Sequence, residues 1–88
     1  MLHIIPQPTP NPNAMKFNLS RTVVEGQSCS FNSPESAAQH PLAARLFEID
    51  GIQSVFMLKD FITVGKRPDA DWEEIIPAAM QAMRDLLG

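Results

Sequence analysis

Apolar and polar residues alternate over residues 14–20, where Met15, Phe17 and Leu19 are each followed by a polar side chain. In a strand, successive side chains point to opposite faces, so this period of two places the three apolar residues on one face. The pattern therefore predicts a strand over residues 14–20 with one face toward a core.

Prolines occupy every second position from Pro6 to Pro12, just before that strand. Each proline fixes its own φ and restricts the residue before it, so the segment stays extended. The missing amide donors at alternate positions predict an edge strand over about residues 2–8. Between the two strands, Asn11-Pro12-Asn13 predicts a tight turn with asparagine first and proline second.

The rest of the chain predicts a short third strand, a β-hairpin and two main helices. Gly26 is expected in a turn before the third strand, and Gly51 is expected to adopt a left-handed conformation after the first main helix. Pro77 lies inside the last helix and predicts a kink near Glu73. The expected elements are a strand at 28–31, a short turn at 34–39 capped by Ser33, a helix at 41–49, hairpin strands at 52–58 and 61–66 joined by Lys59-Asp60, and a final helix capped by Asp71.

These elements predict one α+β domain over residues 1–88. A single mixed or antiparallel sheet of four to five strands, with two main helices packed on one face, satisfies the layout. The 88-residue chain is 44% hydrophobic and 19% charged, so it needs nearly all its apolar residues in one core. We expect that core to include Phe56, Phe61, Ile62 and Val64.

Charge and hydropathy narrow the classes of partner. Lys and Arg number 7 against 10 Asp and Glu, for a net charge of -3. Proteins that bind a phosphate backbone concentrate Lys and Arg, so we expect no nucleic-acid partner. No apolar segment approaches the roughly 20 residues that span a bilayer, and the first residues lack the features of a signal peptide. We therefore expect no membrane association and a cytoplasmic location.

Few residues offer catalytic or metal chemistry. Cys29 is the only cysteine, and the other soft metal ligands, His3 and His40, are isolated in the sequence. Zinc and iron–sulfur sites need about four such ligands. We predict a metal-free monomer with no catalytic residue, no enzymatic activity and no cofactor. A small thiol-redox protein that uses Cys29 stays open as an alternative, because the helix start near Ser33 could stabilise a thiolate.

The segment from Thr9 to Phe17, which reads Thr-Pro-Asn-Pro-Asn-Ala-Met-Lys-Phe, resembles the opening signature of the N-terminal domain of the Nfu family. Members of this family are iron–sulfur cluster scaffold and carrier proteins. Further similar segments follow in the same order, and the similarity covers residues 9–17 and 41–76. They are Pro41-Leu42-Ala43 with Leu46-Phe47, Ser54-Val55-Phe56, Asp60-Phe61-Ile62-Thr63-Val64 with Lys66, and Asp71-Trp72.

The resemblance implies a binding role without catalysis. In the family, a separate C-terminal domain holds the cluster through a C-x-x-C pair, and the single Cys29 cannot supply that pair. The resemblance implies a non-enzymatic accessory module in iron–sulfur cluster assembly or delivery that binds a scaffold or client protein. An unrelated protein-binding role on the same fold stays open. The candidate partner-binding residues at the surface are polar residues embedded in the signature: Asn11, Asn13, Lys16, Lys59, Asp60 and Lys66. We expect Lys59, Lys66 and Arg67 to form one basic cluster near the hairpin.

Overall fold

The computed structural model describes residues 2–88, which form a five-stranded antiparallel sheet covered on one face by three helices. The order of strands across the sheet is β1-β2-β5-β4-β3. This architecture confirms the predicted α+β class. The elements are β1 (Ile4–Pro8), β2 (Ala14–Leu19), β3 (Val24–Phe31), α1 (Pro34–Ala37), α2 (Pro41–Phe47), β4 (Ile52–Lys59), β5 (Phe61–Lys66) and α3 (Trp72–Leu87).

The hydrophobic core lies between the helices and one face of the sheet, which we call the inner face. The predicted alternation in β2 is confirmed, because Met15, Phe17 and Leu19 are all buried there. We call the opposite side of the sheet, which no helix covers, the outer face. The main buried side chains on the inner face and the helices are Met15, Phe17, Leu19, Val55, Met57, Ile62 and Val64, with Leu42, Leu46, Ile75, Ala79 and Met83.

The proline-rich strand lies at one edge of the sheet, as predicted. The carbonyl of His3 accepts a hydrogen bond of 3.0 Å from the amide of Ser20. In an antiparallel pair every second residue faces the partner strand, so the backbone groups of Ile5 and Gln7 also face β2. The backbone positions of Pro6 and Pro8 consequently face away from the sheet. Because proline has no amide hydrogen, this edge offers few donors to a further strand.

Several elements differ by one or more residues from the expected bounds, and two of these differences have a local cause. The third strand begins at Val24 instead of residue 28, because Gly26 lies in a bulge and not in a turn. Gly26 has φ +86°, and the pairing of β3 with β4 shifts register between Val24 and Cys29. Five steps along β3, from Val24 to Cys29, oppose only two along β4, from Lys59 to Met57, so the bulge takes up three extra residues. The first main helix ends at Phe47 instead of residue 49, since the last amides bond three residues back, as Ile49 does to Leu46.

The predicted turn and helix starts are confirmed. The amide of Ala14 bonds the carbonyl of Asn11 at 3.0 Å, which closes a four-residue turn around Pro12. The Ser33 side chain accepts from the backbone at the start of α1, and the Asp71 carboxylate does so at the start of α3. Helix α3 is continuous through Pro77, and its kink stays a prediction.

Gly51 and Gly26 both adopt the left-handed region, but they differ in the room available for a side chain. Their φ angles are +101° and +86°. A Cβ atom at Gly51 would lie 2.7 Å from Cβ of Ala70 and 3.3 Å from Cδ1 of Ile75, whereas nothing lies within 4 Å at Gly26. The chain therefore needs glycine at Gly51 for both conformation and packing.

We expect Gly51→Ala to lower the free energy of unfolding by about 2–5 kcal/mol and Gly26→Ala by about 1–2 kcal/mol. The left-handed backbone costs an L side chain about 1–2 kcal/mol at either position, and overpacking adds about 1–3 kcal/mol at Gly51 only. Urea unfolding of the two variants measures the difference. Equal losses would mean that Ala70 and Ile75 move aside without cost.

Candidate functional site

Lys66, Trp72 and the Asn-Pro-Asn turn form one hydrogen-bonded group, which we call the turn cluster (Pro12, Asn13, Lys66 and Trp72). The Lys66 ammonium donates to Oδ1 of Asn13 at 3.0 Å and to the carbonyl of Arg67 at 3.2 Å. The Trp72 indole Nε1 donates to the carbonyl of Pro12 at 2.9 Å. Nζ of Lys66 also lies 5.7 Å from the centroid of the Trp72 ring. The cluster joins the turn to the end of β5 and the start of α3.

Lys66 is buried, so the expectation that it lies at the surface is wrong. It is 8% exposed, because the alternation of β5 places it on the inner face after Ile62 and Val64. Its backbone amide also donates to the carbonyl of Asn13 at 2.8 Å. Asn11 remains exposed, and its Oδ1 accepts from the amide of Asn13 at 2.9 Å. The polar groups of this segment therefore serve first to hold the turn in shape.

Lys59 and Asp60 lie at the other end of the sheet. Phe61 and Lys66 begin and end β5, so the two ends are separated by about 17 Å. The expected basic cluster of Lys59, Lys66 and Arg67 is therefore wrong. Lys66 lies beside the Asn-Pro-Asn turn, at the opposite end of β5 from Lys59. The hairpin pattern in the sequence does not reveal this neighbour of Lys66.

Two backbone contacts fix the Lys59–Asp60 hairpin loop. The carbonyl of Asp60 accepts from the amide of Leu19 at 2.8 Å, and the carbonyl of Lys59 accepts from the amide of Val23 at 2.6 Å. Lys59 has φ 52°, a left-handed conformation that is uncommon for a residue with a side chain. Both side chains therefore extend from a constrained, solvent-facing loop.

Lys16 lies on the outer face, away from both ends of the sheet. Its Nζ is 4.5 Å from the centroid of the Phe61 ring, and that ring lies 6.0 Å from the Phe56 ring. Both aromatic side chains are half-buried, so the expectation that they fill the core is wrong. Because Ile62 and Val64 point to the inner face, the strand alternation turns Phe61 to the outer face.

Apolar and polar side chains share the outer face. Ile5 is 65% exposed, and the Asn18 side-chain amide donates to Oε1 of Gln7 at 3.1 Å. Phe56, Leu58 and Phe61 are half-buried neighbours on this face, and Asn18 lies between Phe61 and Ile5. We define the outer-face patch by eight residues that share one side of the sheet: Ile5, Gln7, Lys16, Asn18, Phe56, Leu58, Phe61 and Thr63.

The residues present do not fit an iron–sulfur cluster or a zinc ion. Cys29 lies opposite Met57 in the register of β3 with β4, and Met57 is buried in the core. The half-buried side chain of Cys29 therefore faces the inner side of the sheet. Nδ1 of His40 accepts from the amide of Ala43 at the start of α2. Within residues 2–88, no three His, Cys, Asp or Glu side chains come close enough together to hold a metal. A cluster needs about four thiolates, and this chain has one. The absence of metal and cofactor in solution stays a prediction.

The sequence matches the family described as "Scaffold protein Nfu/NifU N terminal" over residues 4–88. It is 41% identical over 80 residues to a human protein named "NFU1 iron-sulfur cluster scaffold homolog, mitochondrial", covering 90% of this chain and 32% of the human protein. It is 40% identical over 79 residues to "Conserved virulence factor C" of Staphylococcus aureus, covering 90% of this chain and 21% of that protein. The chain thus spans a third or less of these curated relatives.

Two solved structures share the fold. The solution structure of a NifU-like protein from Saccharomyces cerevisiae has a TM-score of 0.83 at 25% identity, over 98% of this chain and 78% of that one. The crystal structure of a Staphylococcus aureus protein has a TM-score of 0.79 at 31% identity, over 91% of this chain and 96% of that one. The five-stranded sheet with helices on one face is therefore the architecture of the group.

In the described part of the chain, no helix has both the length and the apolar character needed to cross a bilayer. Several matched relatives are named as mitochondrial, so the cytoplasmic location stays a prediction. The monomeric state stays a prediction as well.

The turn cluster predicts a stability difference between two lysines. We expect Lys66→Met to lower the free energy of unfolding by about 1–3 kcal/mol, because the methionine fills the space but leaves Oδ1 of Asn13 without its donor. The carbonyl of Arg67 keeps its hydrogen bond of 3.0 Å from the amide of Ala70. The matched control is Lys59→Met at the exposed hairpin loop, expected to change stability by less than about 0.5 kcal/mol. Guanidinium unfolding of both variants provides the measurement. If the two lysines prove equally dispensable, the turn cluster does not stabilise the fold.

Proposed function

We propose, because this chain belongs to the Nfu/NifU N-terminal domain family, that it is a non-enzymatic accessory module in iron–sulfur cluster assembly or delivery. In this role it binds a scaffold or client protein. The observation that carries the proposal is the family match over residues 4–88. The human relative, of which this chain covers 32%, is named as an iron–sulfur cluster scaffold homolog.

In this proposal the chain contacts a protein that holds or receives the cluster, and the cluster itself is the cargo. Its residues support contact more than ligation, since it has one thiol and no grouping of metal ligands within residues 2–88. The outer-face patch supports the same role, because half-buried aromatic side chains on an uncovered sheet present apolar area to a partner. A partner that covered them would remove this area from water.

The six candidate residues divide into groups with different proposed roles. Lys16 contacts the partner from the outer-face patch, while Lys59 and Asp60 offer a second contact point at the hairpin loop. Asn11 contacts the partner from the exposed turn. Asn13 and Lys66 position that turn through their mutual hydrogen bond, so their effect on binding is indirect.

The thiol-redox alternative has no specific observation in its favour. Cys29 packs partly against the core and has no second cysteine as a resolving partner. An unrelated protein-binding role would present the same surfaces, and the identity of the bound partner distinguishes it from the proposed function.

We expect affinity purification of the tagged chain from its native cell to enrich cluster-assembly proteins or cluster-containing clients. Quantitative mass spectrometry compares the recovered proteins with those bound by an unrelated acidic domain of similar size that carries the same tag. Repeated recovery of partners with no connection to iron–sulfur proteins would contradict the proposal and favour the unrelated binding role.

We expect anaerobic incubation with ferrous iron and sulfide, followed by desalting, to leave no stable visible charge-transfer absorption on this chain. The physical reason is the donor set, since one thiolate cannot replace the four that a cluster needs. Cys29→Ser serves as the matched variant, and its spectrum should equal that of the unmodified chain. A stable cluster spectrum that disappears in Cys29→Ser would show that the chain itself binds the cargo.

A further inference from the structure

The outer-face patch is one continuous surface across four neighbouring strands. Strand pairing aligns two rows of side chains, and adjacent rows are about 7 Å apart. An extended segment laid across the sheet would therefore meet both rows. The first row is Ile5, Asn18, Phe61 and Leu58, and the second is Gln7, Lys16, Thr63 and Phe56.

Lys16 is the only ionised side chain in this patch, although the chain carries a net charge of -3. None of the ion pairs formed within residues 2–88 involves Lys16. Its ammonium contacts the face of the Phe61 ring and has no carboxylate partner within 4 Å. A cation without a counter-ion, on a surface that is partly apolar, is electrostatically complementary to an acidic group on a partner.

The carboxylates lie mainly on the other side of the molecule. Eight of the ten belong to the helices or to the segments that flank them, and the other two are Glu25 on β3 and Asp60 at the hairpin loop. The carboxylates on the helical side repel an acidic segment, and the Lys16 ammonium on the outer face attracts it. This difference in charge directs the segment to the outer face. The eight are Glu35, Glu48, Asp50, Asp69, Asp71, Glu73, Glu74 and Asp85.

From this complementarity we infer that the outer-face patch binds an apolar segment of a partner protein that carries an Asp or Glu opposite Lys16. The aromatic rings of Phe56 and Phe61, with Leu58 and Ile5, contact the apolar side chains of the segment. Lys16 pairs with its carboxylate and thereby sets its register on the sheet. This inference rests on the proposed function only for the identity of the partner, as an assembly or client protein.

Two other occupants fit the patch less well. Aromatic residues on a sheet stack the bases of single-stranded RNA in some proteins, but those surfaces add several cations for the phosphates, and this patch has one. A second copy of the chain in a twofold arrangement would bring the same patch, with its cation, against itself. Both occupants are tested below.

The test is a selection of peptides from a random display library on the immobilised chain, run in parallel on Lys16→Glu. The matched control is Arg45→Glu, which makes the same change in charge on α2, on the helical side of the sheet. We expect peptides selected on the unmodified chain to share an Asp or Glu among apolar residues. When these peptides are synthesised and titrated, they should bind Arg45→Glu with unchanged affinity and Lys16→Glu at least about tenfold more weakly.

Amide chemical-shift mapping places the bound peptide, and the spectra without peptide confirm that each variant is folded. The expected shifts follow β1, β2, β5 and β4, and Phe61→Ala should weaken binding as well. The inference is overturned by a selection without enrichment, by peptides without a shared acid, by shifts on the helical side, or by unchanged affinity in Lys16→Glu. Tighter binding of a single-stranded RNA library, or self-association that blocks the peptide, overturns it too.

The inference and the proposed function can fail separately. If Lys16→Glu loses peptide binding but purification from cells recovers no iron–sulfur proteins, the binding inference stands and the proposed function fails. If purification recovers the same iron–sulfur proteins with the unmodified chain and with Lys16→Glu, the proposed function stands and the inference is wrong.

Discussion

Helices cover only one face of the sheet, and this constraint decides the environment of the side chains on β2, β4 and β5. Because strand side chains alternate, each apolar residue in the core has neighbours in the chain that point to solvent. Burial of Phe17 and Ile62 on the inner face thus places Lys16 and Phe61 together on the outer face. The arrangement that stabilises the fold therefore also creates the surface available for binding.

The two edges of the sheet favour contact through its face over addition of a strand. At β1, Pro6 and Pro8 remove amide donors from the outer edge. At β3, the bulge at Gly26 shifts the register and interrupts a regular ladder. Prolines and bulges are the features by which edge strands resist pairing with other chains. Side-chain contact on the outer face consequently remains the simplest way for a partner to engage the sheet.

Local sequence signals predicted the fold well where a short segment determines its own structure. The Asn-Pro-Asn turn, the Ser33 and Asp71 caps and the alternation of β2 all follow from neighbouring residues. The site was predicted less well, because it depends on which face a strand turns toward the helices. The hairpin strands are nearly continuous apolar runs, so their composition does not reveal that Phe56 and Phe61 point outward. The burial of Lys66 likewise depends on Asn13, more than fifty residues away in the chain.

The family signature contains residues of two different kinds. Pro12, Asn13, Lys66 and Trp72 contact one another, and those contacts explain why the fold needs them together. Lys16 belongs to the same signature but has no such structural partner. A contact with the Phe61 ring contributes only about 0.5–1 kcal/mol at an exposed site, and an arginine or an apolar residue could replace that part of its role. The fold therefore accounts for the contacts among these four residues, and the unpaired ammonium of Lys16 is the part of the signature for which we propose a binding partner.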